Sequence, residues 1–127
     1  MPLQNYALKR TQTGLGLFTL QAIAPRKRII QYVGPVIDAA EVKRKGGKYL
    51  FEIDEEYAID GSARSNIARY INHSCRPNAE AFVTGKRIWI WSRKIIRAGE
   101  EITIDYGTDY FDEHIEPKGC RCKKCAA

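Results

Sequence analysis

Arg69-Tyr70-Ile71-Asn72-His73-Ser74-Cys75-Arg76-Pro77-Asn78 is the stretch on which the reading of this chain turns. It crowds a carboxamide, an imidazole, a hydroxyl and a thiol into four successive positions, then meets a proline. Pro77 disfavours helix at Arg76, so the polar run ends in an extended or turning segment. Taken alone, His73 reads either as a hydrogen-bonded structural histidine or as a site residue. Upstream, Thr13-Gly14-Leu15-Gly16-Leu17-Phe18 enters an apolar stretch through two glycines, which let backbone come close to a ligand or simply make a turn. It is not a dinucleotide fingerprint, because no helix follows and Pro25 soon intervenes. Downstream, Gly99-Glu100-Glu101-Ile102-Thr103-Ile104-Asp105-Tyr106-Gly107 reads as a strand running into an Asp-Tyr-Gly turn.

Between these segments lie short apolar runs rich in β-branched and aromatic residues: Leu15–Leu20, Ile29–Val33, Tyr49–Ile53, Ala81–Val83, Ile88–Trp91 and Ile102–Ile104. Gly46-Gly47, Asp60-Gly61 and Gly85 punctuate them, as turns between strands do. The residues around Gly85 read as a hairpin. Only Ala39–Lys45 and Ser65–Ile71 suggest helices, both short. The expectation is a mainly β fold in one unit of 127 residues, 44% hydrophobic and 28% charged. That balance excludes disordered and collagen-like classes, and no apolar run reaches the roughly 20 residues of a membrane-spanning helix. Lys9 and Arg10 before Leu15–Leu20, with Ala22-Ile23-Ala24, imitate a secretory leader. Gly14, Gly16, Thr19 and Gln21 interrupt the run, so it is read as part of the fold.

Twenty-one Lys and Arg against fifteen Asp and Glu give a net charge of +6, compatible with nucleic acid, nucleotide-like cofactors or anionic surfaces without choosing among them. Lys43-Arg44-Lys45 reads as a solvated helix end and Asp54-Glu55-Glu56 as a solvated turn, the latter also able to attract a basic peptide. Of the four cysteines, Cys120, Cys122 and Cys125 stand too close together to pair well as disulfides. They suit convergence on one metal and a reducing, intracellular setting, cytoplasmic or nuclear at chromatin. A thiol redox pair is the other reading of the same spacing.

The ordered set of motifs resembles the SET-domain protein lysine methyltransferases. Gly14-Leu15-Gly16 is similar to that family's first cofactor loop, and Tyr32-Val33-Gly34 and Tyr49-Leu50-Phe51 to two of its strands. Arg69–Cys75 is similar to its Asn-His-Ser-Cys signature, Glu101–Tyr106 to its Asp-Tyr segment, and Cys120-Arg121-Cys122…Cys125 to its post-SET cysteines. The resemblance implies small curved sheets in which the Asn-His-Ser-Cys segment and the Asp-Tyr strand form a pseudoknot, with a SET domain over 1–107 and a post-SET zinc-binding tail over 108–127. It implies S-adenosylmethionine on one face, a lysine-bearing basic protein or peptide such as a histone tail on the other, and a channel between. No membrane partner and no direct nucleic-acid contact are expected.

By the same resemblance, Leu15, Tyr49, Asn72 and His73 contact the cofactor, with Thr13 and Arg121 flanking and Tyr110 on the adenine. Tyr32, Tyr49 and Tyr106 surround the lysine amine, Tyr106 aligning its lone pair. Cys75, Cys120, Cys122 and Cys125 form a four-thiolate set suited to one structural zinc. Two residues, Lys123 and Lys124, separate the last two tail cysteines, where the family more often has four between them. Ile104 occupies the family's product-switch position. Without a hydroxyl it supplies no partner for a channel water, so di- or trimethylation is expected. The reading from another class is a catalytically inactive SET-like, zinc-containing module that docks on chromatin or nucleic acid. The joint retention of Asn72, His73 and Tyr106 speaks against it.

Overall fold

A computed structural model describes residues 5–12, 14–45 and 49–105. In chain order these form β1 (Tyr6–Thr11), β2 (Gly14–Thr19), β3 (Arg28–Tyr32), β4 (Val36–Asp38), α1 (Ala39–Lys45), β5 (Leu50–Glu52), β6 (Tyr57–Asp60), a 3-10 helix (Ile67–Tyr70), β7 (Asn72–His73), β8 (Ala79–Thr84), β9 (Arg87–Ser92) and β10 (Thr103–Ile104). The architecture is mainly β, as the short β-branched runs predict, and is divided into small sheets: β1-β2, β3-β9-β8, β4-β6-β5 and β7-β10. No described helix is long and apolar enough to cross a membrane.

The β3-β9-β8 sheet supplies most of the core. Along β9, Ile88, Ile90 and Ser92 are buried while Arg87, Trp89 and Trp91 face the other way, the period of two that a sheet with one covered face imposes. Ile88 and Ile90 pack with Leu17, Ile30, Ile59, Ile71, Ile96, Ile102 and Ile104 in one cluster. Full burial of such a side chain contributes about 1.5–3 kcal/mol. Buried Ser92 is satisfied: its hydroxyl donates to the Ala24 carbonyl at 2.6 Å and accepts from the Lys27 amide at 2.9 Å. On the outer face the Arg28 guanidinium lies 4.3 Å from the centre of the Trp89 ring, shielding apolar surface. β8 and β9 meet in the expected hairpin, Thr84 opposite Arg87. Gly85, at φ +62°, takes the first turn position, where a type II′ turn requires positive φ.

The segment Leu15–Leu20 belongs to the fold: Leu17 in β2 is fully buried. The helix over Ala39–Lys45 forms as expected. Asp38 Oδ1 accepts the Glu41 amide at 2.9 Å, an Asp-x-x-Glu start that satisfies an otherwise orphaned donor. The second expected helix, Ser65–Ile71, does not form. Only Ile67–Tyr70 winds, and as a 3-10 turn. Asn66 does not cap it, because its side chain is drawn elsewhere: Oδ1 accepts from Val33 N at 3.0 Å and Nδ2 donates to the Gly61 carbonyl at 3.0 Å. Ile71 has already turned extended, at φ −69° and ψ 119°, to enter β7.

Candidate active site

β7 carries Asn72 and His73 and pairs in parallel with β10, Asn72 opposite Thr103 and His73 opposite Ile104. Ser74 N continues the ladder to the Ile104 carbonyl at 2.9 Å. Two residues on each side cannot hold such a pairing by themselves. The reinforcement comes from Asn78, only 6% exposed. Its Nδ2 donates to the Glu101 carbonyl at 2.7 Å and its Oδ1 accepts from Thr103 N at 2.9 Å. One carboxamide thus substitutes for a missing strand neighbour, satisfying a buried donor and a buried acceptor together. The expected meeting of the Asn-His segment with the strand that leads to Asp105 is built this way.

Asn72 binds this pair to the glycine turn. Its Nδ2 donates to the Leu15 carbonyl at 3.1 Å and to Glu101 Oε2 at 2.8 Å. Leu15 itself is 45% exposed. Gly14, at φ +106°, has nothing within 4 Å of where a Cβ would stand, so the backbone here is open to an approaching ligand. At Gly16, in contrast, a Cβ would stand 2.4 Å from Glu101 Oε2; the glycine is what lets the carboxylate close against β2.

His73 lies between an acid and a thiol. Nδ1 is 3.7 Å from Asp105 Oδ1 and Nε2 is 3.5 Å from Cys75 Sγ. Burial holds the imidazole below its ordinary pKa, and Asp105 opposes that shift by favouring the charged form.

Tyr32 and Tyr49 are joined to each other. The Tyr32 hydroxyl donates to the Tyr49 carbonyl at 2.7 Å, which also accepts from Gly61 N at 2.9 Å. A Cβ at Gly61 would stand 2.3 Å from Tyr32 Cε1, so the ring fills the space that this glycine leaves. Its other side meets Phe51, ring centres 5.1 Å apart. The Arg69 guanidinium stacks 4.3 Å from the centre of Tyr49 and 5.0 Å from that of Tyr70, and donates to the Ser62 carbonyl. Ile104 is buried at 3% exposure, within the core cluster.

Asn72 is therefore brought against Leu15, His73 stands beside it in β7 with its ring toward Asp105 and Cys75, and Tyr32 and Tyr49 are joined to each other. Thr13, Tyr106, Tyr110, Arg121, Cys120, Cys122 and Cys125 lie outside the described residues, so of the thiolate set only Cys75 lies within them. Among the described residues no three His, Cys, Asp or Glu side chains are grouped to hold a metal. Three residues at the site were not assigned from the sequence. Asn78 and Glu101 sit inside the quoted motifs, and Arg69 opens one. What marks each is its place within a quoted motif, which spacing does not turn into a role.

The SET domain family model matches residues 14–107. The chain belongs to the SET-domain family. Curated relatives agree. Over 125 residues this SET domain is 43% identical to "Histone-lysine N-methyltransferase set-2" of Caenorhabditis elegans, covering 88% of the present chain and 8% of that protein. It is 42% identical to "Histone-lysine N-methyltransferase SETD1" of Drosophila melanogaster, covering 84% and 8%. It is 40% identical to "Histone-lysine N-methyltransferase, H3 lysine-4 specific" of Schizosaccharomyces pombe, covering 85% and 13%. The chain thus spans a small fraction of the length of these relatives.

Proposed function

We propose that this SET domain is an S-adenosylmethionine-dependent protein lysine N-methyltransferase acting on basic proteins at chromatin, histone tails foremost. The observation that carries the reading is the junction at Asn72, where the open glycine turn, the Asn-His strand and the acidic strand are joined by one carboxamide. The relatives' names supply the substrate class. Leu15, Asn72 and His73 would hold the cofactor, with Thr13, Tyr110 and Arg121 completing its site and Tyr49 between it and the substrate. When bound, that cofactor supplies an electrophilic methyl group and a sulfonium leaving group.

The chain's own task is to deliver a neutral amine in line and keep water away. A free lysine has a pKa of about 10.4 and is almost wholly protonated near neutrality. A channel walled by Tyr32, Tyr49 and Tyr106 desolvates the ammonium, and the Arg69 guanidinium stacked on Tyr49 adds a fixed positive charge to that wall. Both effects favour the neutral amine. Tyr106 aligns its lone pair, and water accepts the proton before the channel closes. By the family resemblance Ile104 adjoins the amine; it supplies no hydroxyl to hold a water there, so di- or trimethyl product is expected. Residues 108–127 would make up the post-SET tail, whose Cys120, Cys122 and Cys125 would with Cys75 hold one structural zinc.

The deciding experiment incubates the full chain with methyl-labelled S-adenosylmethionine and histone octamers, with a whole-cell lysate in parallel. A labelled lysine is expected. Tyr106→Phe should remove most turnover while leaving S-adenosylhomocysteine affinity near that of the unmodified chain. Absence of label in both samples, or full turnover in Tyr106→Phe, would defeat the reading.

A further inference from the structure

Asn72 Nδ2 has two partners, the Leu15 carbonyl oxygen and Glu101 Oε2. Near neutrality both are acceptors only. Turned end for end, the carboxamide would set its own oxygen against two others, so one orientation is enforced. Both hydrogens of Nδ2 are thereby committed, and among the described residues Oδ1 takes no hydrogen bond.

Glu101 is itself held from several sides. Its carbonyl accepts from Asn78, its backbone bridges to Phe18, and Gly16 admits its carboxylate against β2. Among the described residues no lysine or arginine pairs with that carboxylate. A half-buried negative charge therefore sits against an amide whose oxygen takes no hydrogen bond among the described residues, and hydrogen-bonding through the amide strengthens that oxygen as an acceptor. Such an arrangement favours a cationic donor over a neutral one. S-adenosylmethionine carries neutral donors on its adenine and ribose and one cationic donor, the α-ammonium.

We propose that Glu101 is a positioning residue for the amino-acid end of the cofactor: its carboxylate locks Asn72 so that Oδ1 receives the α-ammonium, and its charge selects that cationic group. The proposal rests on the reading of the chain as an S-adenosylmethionine enzyme. Glu101 touches neither the methyl group nor the lysine in this scheme and acts through Asn72.

The test is calorimetry on the full chain with two probes. S-adenosylhomocysteine keeps the ammonium; 5′-methylthioadenosine keeps the adenosine and thioether but lacks it. Glu101→Gln preserves shape and removes charge. It should weaken S-adenosylhomocysteine binding about tenfold, the scale of one charge-assisted hydrogen bond, and leave 5′-methylthioadenosine within about twofold. In an Asn72→Ala background the same substitution should add nothing, since its partner is gone. Unchanged affinity for both probes overturns the proposal, as does equal loss of both, or an undiminished effect without Asn72. Equal loss together with a lowered melting temperature assigns Glu101 a purely structural role and counts the same way. An unmodified chain that binds neither probe defeats the proposed function as well. One that binds and transfers methyl while Glu101→Gln behaves identically defeats this inference alone.

Discussion

In the β3-β9-β8 sheet, strands of five and six residues pair along their length but for one register shift between Arg28 and Ile30, and bury isoleucines on one face. In the β7-β10 pair, two residues on each side meet, and the surrounding bonds come largely from the side chains of Asn72, Asn78 and Glu101. The first region is stabilised by area removed from water, which is non-directional and tolerates small shifts. The second depends on directional bonds, each modest in net worth but costly to leave half-made. The contrast assigns the two regions different duties: the sheet sets how stable the molecule is, and the carboxamide-stapled pair sets whether its polar groups face the right way.

The largest effect that would sharpen this contrast is expected from Ile90→Ala. Ile90 is fully buried at the centre of β9, and truncation should cost about 3 kcal/mol by lost transfer energy plus a cavity. Urea denaturation measures it, while S-adenosylhomocysteine affinity of the folded protein should stay put. A loss of affinity without a loss of stability would break the division of duties. Next is Asn78→Ala, which strands the Glu101 carbonyl and the Thr103 amide and should cost about 2 kcal/mol. Hydrogen exchange should accelerate more at the Thr103 amide than at that of Ile90; equal acceleration would mean that the pair has no local weakness. The smallest is Tyr32→Phe, at about 1 kcal/mol, because the Tyr49 carbonyl keeps its bond from Gly61. A loss well beyond that would place the Tyr32 hydroxyl among the groups that hold the core.

The sequence was legible where a strand's own residues decide it. Ile29–Val33 and Ile88–Trp91 carry enough β-branched and aromatic side chains to announce β3 and β9 within a residue or so, and Gly85 announces the hairpin. β4, β6 and β7 were not read as strands. Val36–Asp38 and Asn72–His73 are too short for a period of two to show, and their extended form is imposed by the partners they meet. β1, Tyr6–Thr11, has no clean alternation because its burial is uneven along its length. The Ser65–Ile71 expectation failed because local propensity competes with Asn66's bonds to Val33 and Gly61. At the site, the motifs disclosed Asn72 and His73, but the work of Asn78 and Glu101 is visible only once distant segments lie side by side.

The parallel contact between β7 and β10 also has a consequence in time. Its two halves are separated in the chain by the whole β8-β9 hairpin, so closing it fixes a long loop before two pairs of residues return any energy. The hairpin, whose strands are neighbours in sequence, can form first and carry Thr103 toward Asn72. During synthesis the glycine turn and Asn72 leave the ribosome well before Glu101 does. The polar junction is therefore among the last features to be completed as the chain folds, and a nascent chain gains its sheets before the Asn72 carboxamide is locked.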